Sequence, residues 1–166
     1  MKILVSDTSV LIDLERGGFL DSCFKLPFEF AVPDLLYARE LESFGGPGLI
    51  ARGLRVEALS GDEVIVAQAV RSTNRKLSLP DAFAYSLASQ RGWTLLSGDG
   101  ELRALAEAQR VTCCGVLWLL DQFFDGAAVE VAAIISGLEA IAAHPRCRLP
   151  KAEIQARIER YGKPKK

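Results

Sequence analysis

The sequence has no excess of basic residues, no long apolar run and no recognisable leader. Its 166 residues carry a formal net charge of −1, which excludes a protein that is basic throughout and confines any nucleic-acid contact to a local patch. No apolar run reaches the roughly 18 residues that a transmembrane helix needs, and the N-terminus does not resemble a signal peptide. We therefore expect a cytoplasmic protein without a membrane partner.

The cysteines and the single histidine do not occur in the spacings typical of metal sites, disulfide frameworks or catalytic nucleophiles. The four cysteines, Cys23, Cys113, Cys114 and Cys147, lack a repeated C-x-x-C spacing, which favours reduced thiols over a disulfide framework or a zinc site. The only histidine, His144, precedes a proline in a predicted turn and is interpreted as a surface residue. Neither residue type is expected to supply a nucleophile.

Short apolar runs alternate with helical patterns about five times along the chain. The first run, at residues 2–6, is apolar on both faces, as is typical of a central strand in a parallel sheet. This alternation predicts a three-layer α/β/α fold with a central parallel sheet of four to five strands. From Val116 onward only helical patterns remain, which predicts an extra helical C-terminus. A helix is predicted over 33–44, a mobile loop at the glycine-rich residues 45–48, and strands at 2–6, 28–32, 54–59, 93–96 and 111–114.

Acidic residues follow two of the predicted strands. Asp7 and Asp99 each come directly after a strand and open a helix. Ligands of open parallel sheets gather at the carboxyl ends of strands, so these carboxylates converge if the two strands are neighbours. Aspartate is also a favoured helix N-cap, and Ser78 with Asp81 matches a capping-box pattern. Capping and metal binding therefore stay open for Asp7, Asp81 and Asp99.

Glu40 is different because it lies well inside the predicted helix 33–44, where capping does not account for it. It shares a face with the apolar Leu36 at i and i+4, which could carry the carboxylate above the edge of the sheet. The competing interpretation is a solvated helix face. Glu42 is two residues further, about 200° around the helix, so only one of the two glutamates can face the site. The sequence leaves that choice open.

Three or four carboxylates at one edge of a sheet would repel one another unless a cation lies among them. Mg²⁺ or Mn²⁺ suits such a set because hard ions prefer oxygen ligands and support phosphoryl chemistry. The acids therefore indicate metal-assisted hydrolysis of a phosphodiester.

Four segments in order strengthen this interpretation by resemblance to a known family. The segments are ILVSDTSVLI at 3–12, VP with REL at 32–33 and 39–41, LSLPDA at 77–82 and LLSGDGEL at 95–102. Together they resemble the motifs of PIN-domain ribonucleases, most closely the VapC-like toxins of toxin-antitoxin pairs. The resemblance covers about residues 2–125, and the helical part from 115 onward resembles the tail of a PIN subfamily described only as predicted nucleic-acid-binding proteins. It implies a PIN-like nuclease domain over 1–125, a helical extension over 126–166 packed on the same domain, and a basic tail at 162–166.

The resemblance also implies an activity and a site. The activity is a metal-dependent endoribonuclease that hydrolyses RNA with Mg²⁺ or Mn²⁺, held inactive by a small antitoxin and forming a homodimer. The implied catalytic and metal-binding residues are Asp7, Glu40, Asp81 and Asp99, with Glu101 as a further metal ligand and Ser9 and Ser97 as supporting hydroxyls.

Contacts to the RNA are expected from basic side chains near the acids. The residues 73–76 precede Asp81 closely enough to line the same groove, which favours Arg75 and Lys76, and the other candidates are Arg39 and Arg103. Ordinary solubilising charge is the competing interpretation for each of them.

Two other functions compete with the nuclease. A non-catalytic PIN-fold protein would bind RNA or act as a scaffold, but degenerate PIN domains tend to lose acids and this chain retains four. A phosphatase of the haloacid dehalogenase type would use Asp7 as a nucleophile. That family normally has a second aspartate two residues later, where this chain has Ser9.

Overall fold

The centre of the fold is a five-stranded sheet in which every neighbouring pair of strands is parallel. The computed structural model describes residues 1–163. The strands are β1 Lys2–Ser6, β2 Phe28–Pro33, β3 Arg55–Glu57, β4 Thr94–Leu96 and β5 Cys113–Cys114. Their order across the sheet is β3-β2-β1-β4-β5, so the chain builds one half outward from β1 and then returns to build the other. The predicted parallel sheet is confirmed.

Helices flank this sheet. In the described part of the chain they are α1 Thr8–Arg16, α2 Leu20–Cys23, α3 Asp34–Leu36, α4 Gly46–Arg52, α5 Gly61–Thr73, α6 Leu79–Arg91, α7 Gly100–Ala108, α8 Val116–Asp125, α9 Val131–Ala143 and α10 Lys151–Gly162. Helix α6 packs against β1, β2 and β4, and its buried alanines allow this close approach. Within residues 1–163, no helix combines the length and apolar character needed to cross a membrane.

The register between β1 and β4 sets the position of the site. Ser6 pairs with Leu96, so both strands end at the same level of the sheet. The backbone N–H of Asp7 then donates to the carbonyl of Leu96 at 3.0 Å. The chain order reverses between these two strands, which is the point where ligands of open α/β sheets bind. These two strands are neighbours, which was the condition for the carboxylates of Asp7 and Asp99 to converge.

The helix predicted over 33–44 is shorter in the structure and contains a π turn. After the three residues of α3 the chain forms a π turn at Tyr37–Leu41, and the N–H of Glu42 donates to the carbonyl of Tyr37 at 2.8 Å. A π turn spans one residue more than an α turn, and such turns often occur at functional sites. Hydrophobic spacing predicts that a helix forms but carries no signal for this extra residue.

The predicted loop 45–48 is also corrected, because α4 begins at Gly46 within it. Pro47 suits the first helical turn, where a backbone N–H would lack an intrahelical acceptor. A Cβ on Gly46 would lie 2.6 Å from the carbonyl oxygen of Leu41. The glycine therefore permits a tight passage from the π turn into the next helix.

The last two helices pack on the elements that carry the first acid. Helix α9 contacts α1 and α8, and α10 contacts α9. The carboxylate of Asp121 on α8 accepts from Arg157 at 3.1 Å, from Arg160 at 3.1 Å and from the hydroxyl of Tyr161 at 2.5 Å. The ring of Tyr161 stacks on Phe124 with a centroid separation of 4.7 Å. These contacts fix α10 to α8. The predicted basic tail begins at the end of α10, and its residues 164–166 lie outside the described residues.

The contact between α9 and α1 gives a stability test at Gly137. A Cβ there would lie 2.6 Å from the carbonyl oxygen of Gly17 and would overlap the ring of Phe19. We expect Gly137→Ala to lower the free energy of unfolding by about 1–3 kcal/mol, as overpacking of a core does. Urea denaturation measures this change.

The matched control is Gly61→Ala in the first turn of α5. No atom lies within 4 Å of its Cβ position, so its effect should stay within about 0.5 kcal/mol. Equal stability of the two variants would contradict the close packing of α9 on α1.

Candidate functional site

A groove of about 1060 Å³ opens at the carboxyl ends of β1 and β4. Four carboxylates from four separate segments line it, at the starts of α1, α6 and α7 and in the π turn. They are Asp7, Glu40, Asp81 and Asp99. The structure therefore brings the four acids that the sequence singled out to one groove.

Asp7 is the most buried of these acids, with 3% of its surface exposed. One carboxylate oxygen accepts from the backbone N–H of Val10 at 3.0 Å and from the hydroxyl of Ser9 at 2.9 Å. The other accepts from the hydroxyl of Ser97 at 2.5 Å. Burial raises the pKa of Asp7 in spite of these three bonds, each of which lowers it. Asp7 thus caps α1 and faces the groove at once, so capping and a site role are compatible.

Ser97 joins the two acids that follow strands. Its hydroxyl donates to Asp7, and the same oxygen accepts from the backbone N–H of Asp99 at 3.0 Å. Asp99 in turn caps α7 by accepting from the N–H of Leu102 at 3.0 Å. A buried serine directly after β4 therefore binds the carboxylate of Asp7 and the backbone of Asp99 through one hydroxyl group.

Glu40 reaches the groove from the π turn. The hydroxyl of Thr8 donates to one of its carboxylate oxygens, which links the π turn to the first residue of α1. Glu42 is exposed and does not line the groove. The geometry thus favours Glu40 over Glu42 as the acid that faces the site.

The pKa of Asp81 reflects the negative charges of the other acids in the groove. Its backbone N–H donates to the hydroxyl of Ser78 at 3.2 Å, which caps α6 and leaves the side chain facing the groove. Burial, which is the largest cause, and the negative charges of Asp7, Asp99 and Glu40 together raise the pKa of Asp81 to about 6. The four carboxylates are therefore close enough to destabilise one another when all are charged.

The donor set suits a hard divalent cation, because it consists of carboxylate oxygens whose mutual repulsion a cation would relieve. Among residues 1–163, no three acid, histidine or cysteine side chains are spaced to ligate a single ion together. Mg²⁺ does not need such a cage, since it keeps several waters and is commonly held by only one or two carboxylates. The residues present therefore fit a hydrated cation with some acids acting through water.

Cysteines also line the groove but do not suit a nucleophilic role. Cys113, Cys114 and Cys147 are free thiols there. Burial raises the pKa of Cys113 to about 11 and also raises that of Cys114. The thiolate is the reactive form, so burial makes Cys113 and Cys114 poor nucleophiles at neutral pH.

The other predicted site residues divide into two groups. Ser9 and Arg103 line the groove. Glu101 is exposed and does not line the groove, and its carboxylate lies 3.9 Å from the ammonium of Lys76. Arg39 and Arg75 are exposed and do not line the groove either. The roles given to these residues stay predictions.

Basic residues that the sequence did not single out also line the groove. The connection between α9 and α10 contributes Arg146 and Arg148, and two helices contribute Arg16 and Arg157. The only sequence signal is a pair of arginines in a short segment between Pro145 and Pro150. Such a segment is easily interpreted as solubilising charge, because nothing in it indicates proximity to acids far away in the chain.

Comparison with protein families gives a match over nearly the whole chain. The family model described as PIN domain matches residues 3–163 of the chain. No curated protein matches the chain significantly. The matched range includes the four acids and both C-terminal helices.

The raised pKa of Asp81 gives a test on the metal-free protein. A carboxyl group with a folded pKa of about 6, against an ordinary value of 3.8, stabilises the fold below pH 4, and this stability is lost as the pH rises towards 6. In chelator, we expect Asp81→Asn to raise the free energy of unfolding at pH 7 by about 1–3 kcal/mol, at about 1.4 kcal/mol per pKa unit. Urea denaturation from pH 4 to pH 7 measures this.

This increase in the free energy of unfolding should disappear at pH 4, where Asp81 of the parent is protonated in the folded state. Glu139→Gln, which changes an exposed carboxyl group on α9, is the control and should show no comparable pH dependence. A pH-independent effect of Asp81→Asn would contradict the electrostatic explanation.

Proposed function

Because this chain belongs to the PIN-domain family, we propose that it is a metal-dependent endoribonuclease that hydrolyses RNA phosphodiester bonds with Mg²⁺ or Mn²⁺. PIN domains are generally nucleases, which makes a nuclease-type function the starting point. The observation that carries the finer proposal is the convergence of four carboxylates from separate segments at the reversal point of the sheet. Their mutual repulsion, seen at Asp81, is the cost that a bound cation would offset.

The proposed roles follow from the hydrogen bonds of the acids. Asp7 and Asp99 would hold the cation, and the hydroxyl of Ser97 binds the carboxylate of Asp7 and the backbone N–H of Asp99. Asp81 and Glu40 would add negative charge in the same groove, and Glu40 accepts a hydrogen bond from Thr8. When bound, the cation would polarise a phosphate oxygen of the substrate and lower the pKa of water.

We further propose that the protein is the toxin of a toxin-antitoxin pair. The ordered motifs resemble VapC-like toxins, and PIN nucleases often pair with antitoxins. In this proposal a small antitoxin covers the groove, the protein acts as a homodimer in the cytoplasm, and RNA is the substrate. Residues 1–125 are the nuclease domain, and residues 126–166 are a helical extension packed on it.

The test of catalysis separates capping from metal binding. Asparagine caps a helix about as well as aspartate, so Asp7→Asn and Asp99→Asn should preserve the caps of α1 and α7. We expect each variant to lose more than about 100-fold in RNA cleavage with Mn²⁺, because even outer partners of metal ligands cost 10- to 100-fold. Cleavage of a labelled single-stranded RNA by antitoxin-free protein measures this.

Glu42→Gln is the matched control, because it removes an exposed carboxylate near Glu40 that does not line the groove. It should cleave as the parent does. Cleavage by Asp7→Asn and Asp99→Asn at the parental rate would contradict the proposal. A parent that binds RNA, fails to cleave it and takes up no metal in calorimetry would favour the non-catalytic RNA-binding function instead.

A further inference from the structure

The connection between α9 and α10 forms a wall of the acidic groove. Residues 145–150 all line the groove, although they are more than 130 residues from Asp7 in the chain. Arg146 and Arg148 are both exposed there. One groove therefore has acids at the carboxyl ends of the strands and exposed arginines on a segment from the C-terminal helices.

Three of the arginines that line the groove, Arg103, Arg146 and Arg148, have no carboxylate partner among the described residues, whereas Arg16 and Arg157 have one. Arg16 lies 3.7 Å from Asp13, and Arg157 lies 3.1 Å from Asp121. By contrast, the guanidinium groups of Arg103, Arg146 and Arg148 make no ion pair with any residue of 1–163. Their charge is thus free for an anionic ligand in the groove.

The segment is held in place at both ends. The N–H of Arg146 donates to the Nδ1 of His144 at 3.1 Å, and the N–H of Cys147 donates to the carbonyl of His144 at 3.0 Å. The helix before the segment packs on α1 through Gly137, and the helix after it is fixed to α8 through Asp121. The two arginines therefore project from a turn supported by packed helices, which gives them a defined position relative to the acids.

We propose that Arg146 and Arg148 bind backbone phosphates of the single-stranded RNA that crosses the groove, with Arg103 on the adjacent wall. This inference rests on the proposed nuclease function and names the residues that hold its substrate. Guanidinium groups match phosphates bidentately and remain charged at all relevant pH values.

The experiment measures binding without cleavage. All proteins carry Asp99→Asn and are kept in chelator, and fluorescence anisotropy follows single-stranded RNAs of different base composition between 50 and 200 mM salt. Each phosphate contact on a single strand contributes about 0.7 to the slope of log K against log salt. We expect Arg146→Gln with Arg148→Gln to reduce the slope by about 1.4 and the affinity at 0.1 M salt by about 10- to 30-fold, equally for all sequences.

The control double variant, Lys25→Gln with Arg110→Gln, removes the same charge from the N-terminal ends of the strands, opposite the ends where the groove lies. Both residues precede strands, β2 and β5, and neither lines the acidic groove. Its slope should equal that of the parent. Unchanged melting temperatures would show that both double variants remain folded.

Three results would overturn the inference. They are an unchanged slope for the Arg146 and Arg148 variant, a loss confined to particular base sequences, and a loss of binding to an acidic peptide such as polyglutamate with RNA binding intact. The failure of the proposed nuclease function gives a different result: the parent does not cleave RNA, but its RNA binding still depends on the arginines. If only the phosphate contact is wrong, Asp7→Asn still abolishes cleavage, and RNA binding is unchanged when the arginines are replaced.

Discussion

The buried carboxylate of Asp7 is the constraint on which the site depends. Burying a charge is costly unless hydrogen bonds satisfy it, and Asp7 has three donors from two distant parts of the chain. Two come from the first turn of α1 and the third from Ser97 at the end of β4. The pairing of β1 with β4 brings that serine within reach, so the sheet must form before the carboxylate can be accommodated. The same serine then fixes Asp99, and the two strand-end acids share one support.

Much of this arrangement could be predicted from local patterns. Short apolar runs predict the strands, and the capping residues Ser60, Ser78 and Asp99 mark where helices begin. Acids directly after strands point to the edge where β1 and β4 end. These signals succeed because each depends on neighbours in sequence, and parallel topology then brings the strand ends together.

The remaining features depend on contacts that a local pattern does not contain. The π turn around Glu40 has the same hydrophobic spacing as an α-helix, so nothing in the sequence predicts its extra residue. The role of Glu101 as a ligand comes from the resemblance to PIN-domain ribonucleases and stays a prediction. Its carboxylate lies 3.9 Å from the ammonium of Lys76, a contact between α7 and the segment before α6 that no local pattern contains. Arg146 and Arg148 were missed because their nearness to the acids comes from the packing of α9 and α10.

The π turn also affects how this chain can be compared with its relatives. A relative with an unbroken α-helix in this segment has one residue fewer between Leu36 and the end of the turn. An alignment without a gap would then place the wrong residue opposite the helical acid and shift everything after it by about 100° around the axis. A single-residue gap within Tyr37–Leu41 would restore the match, so a sequence that lacks this acid in an ungapped alignment can still possess it in space.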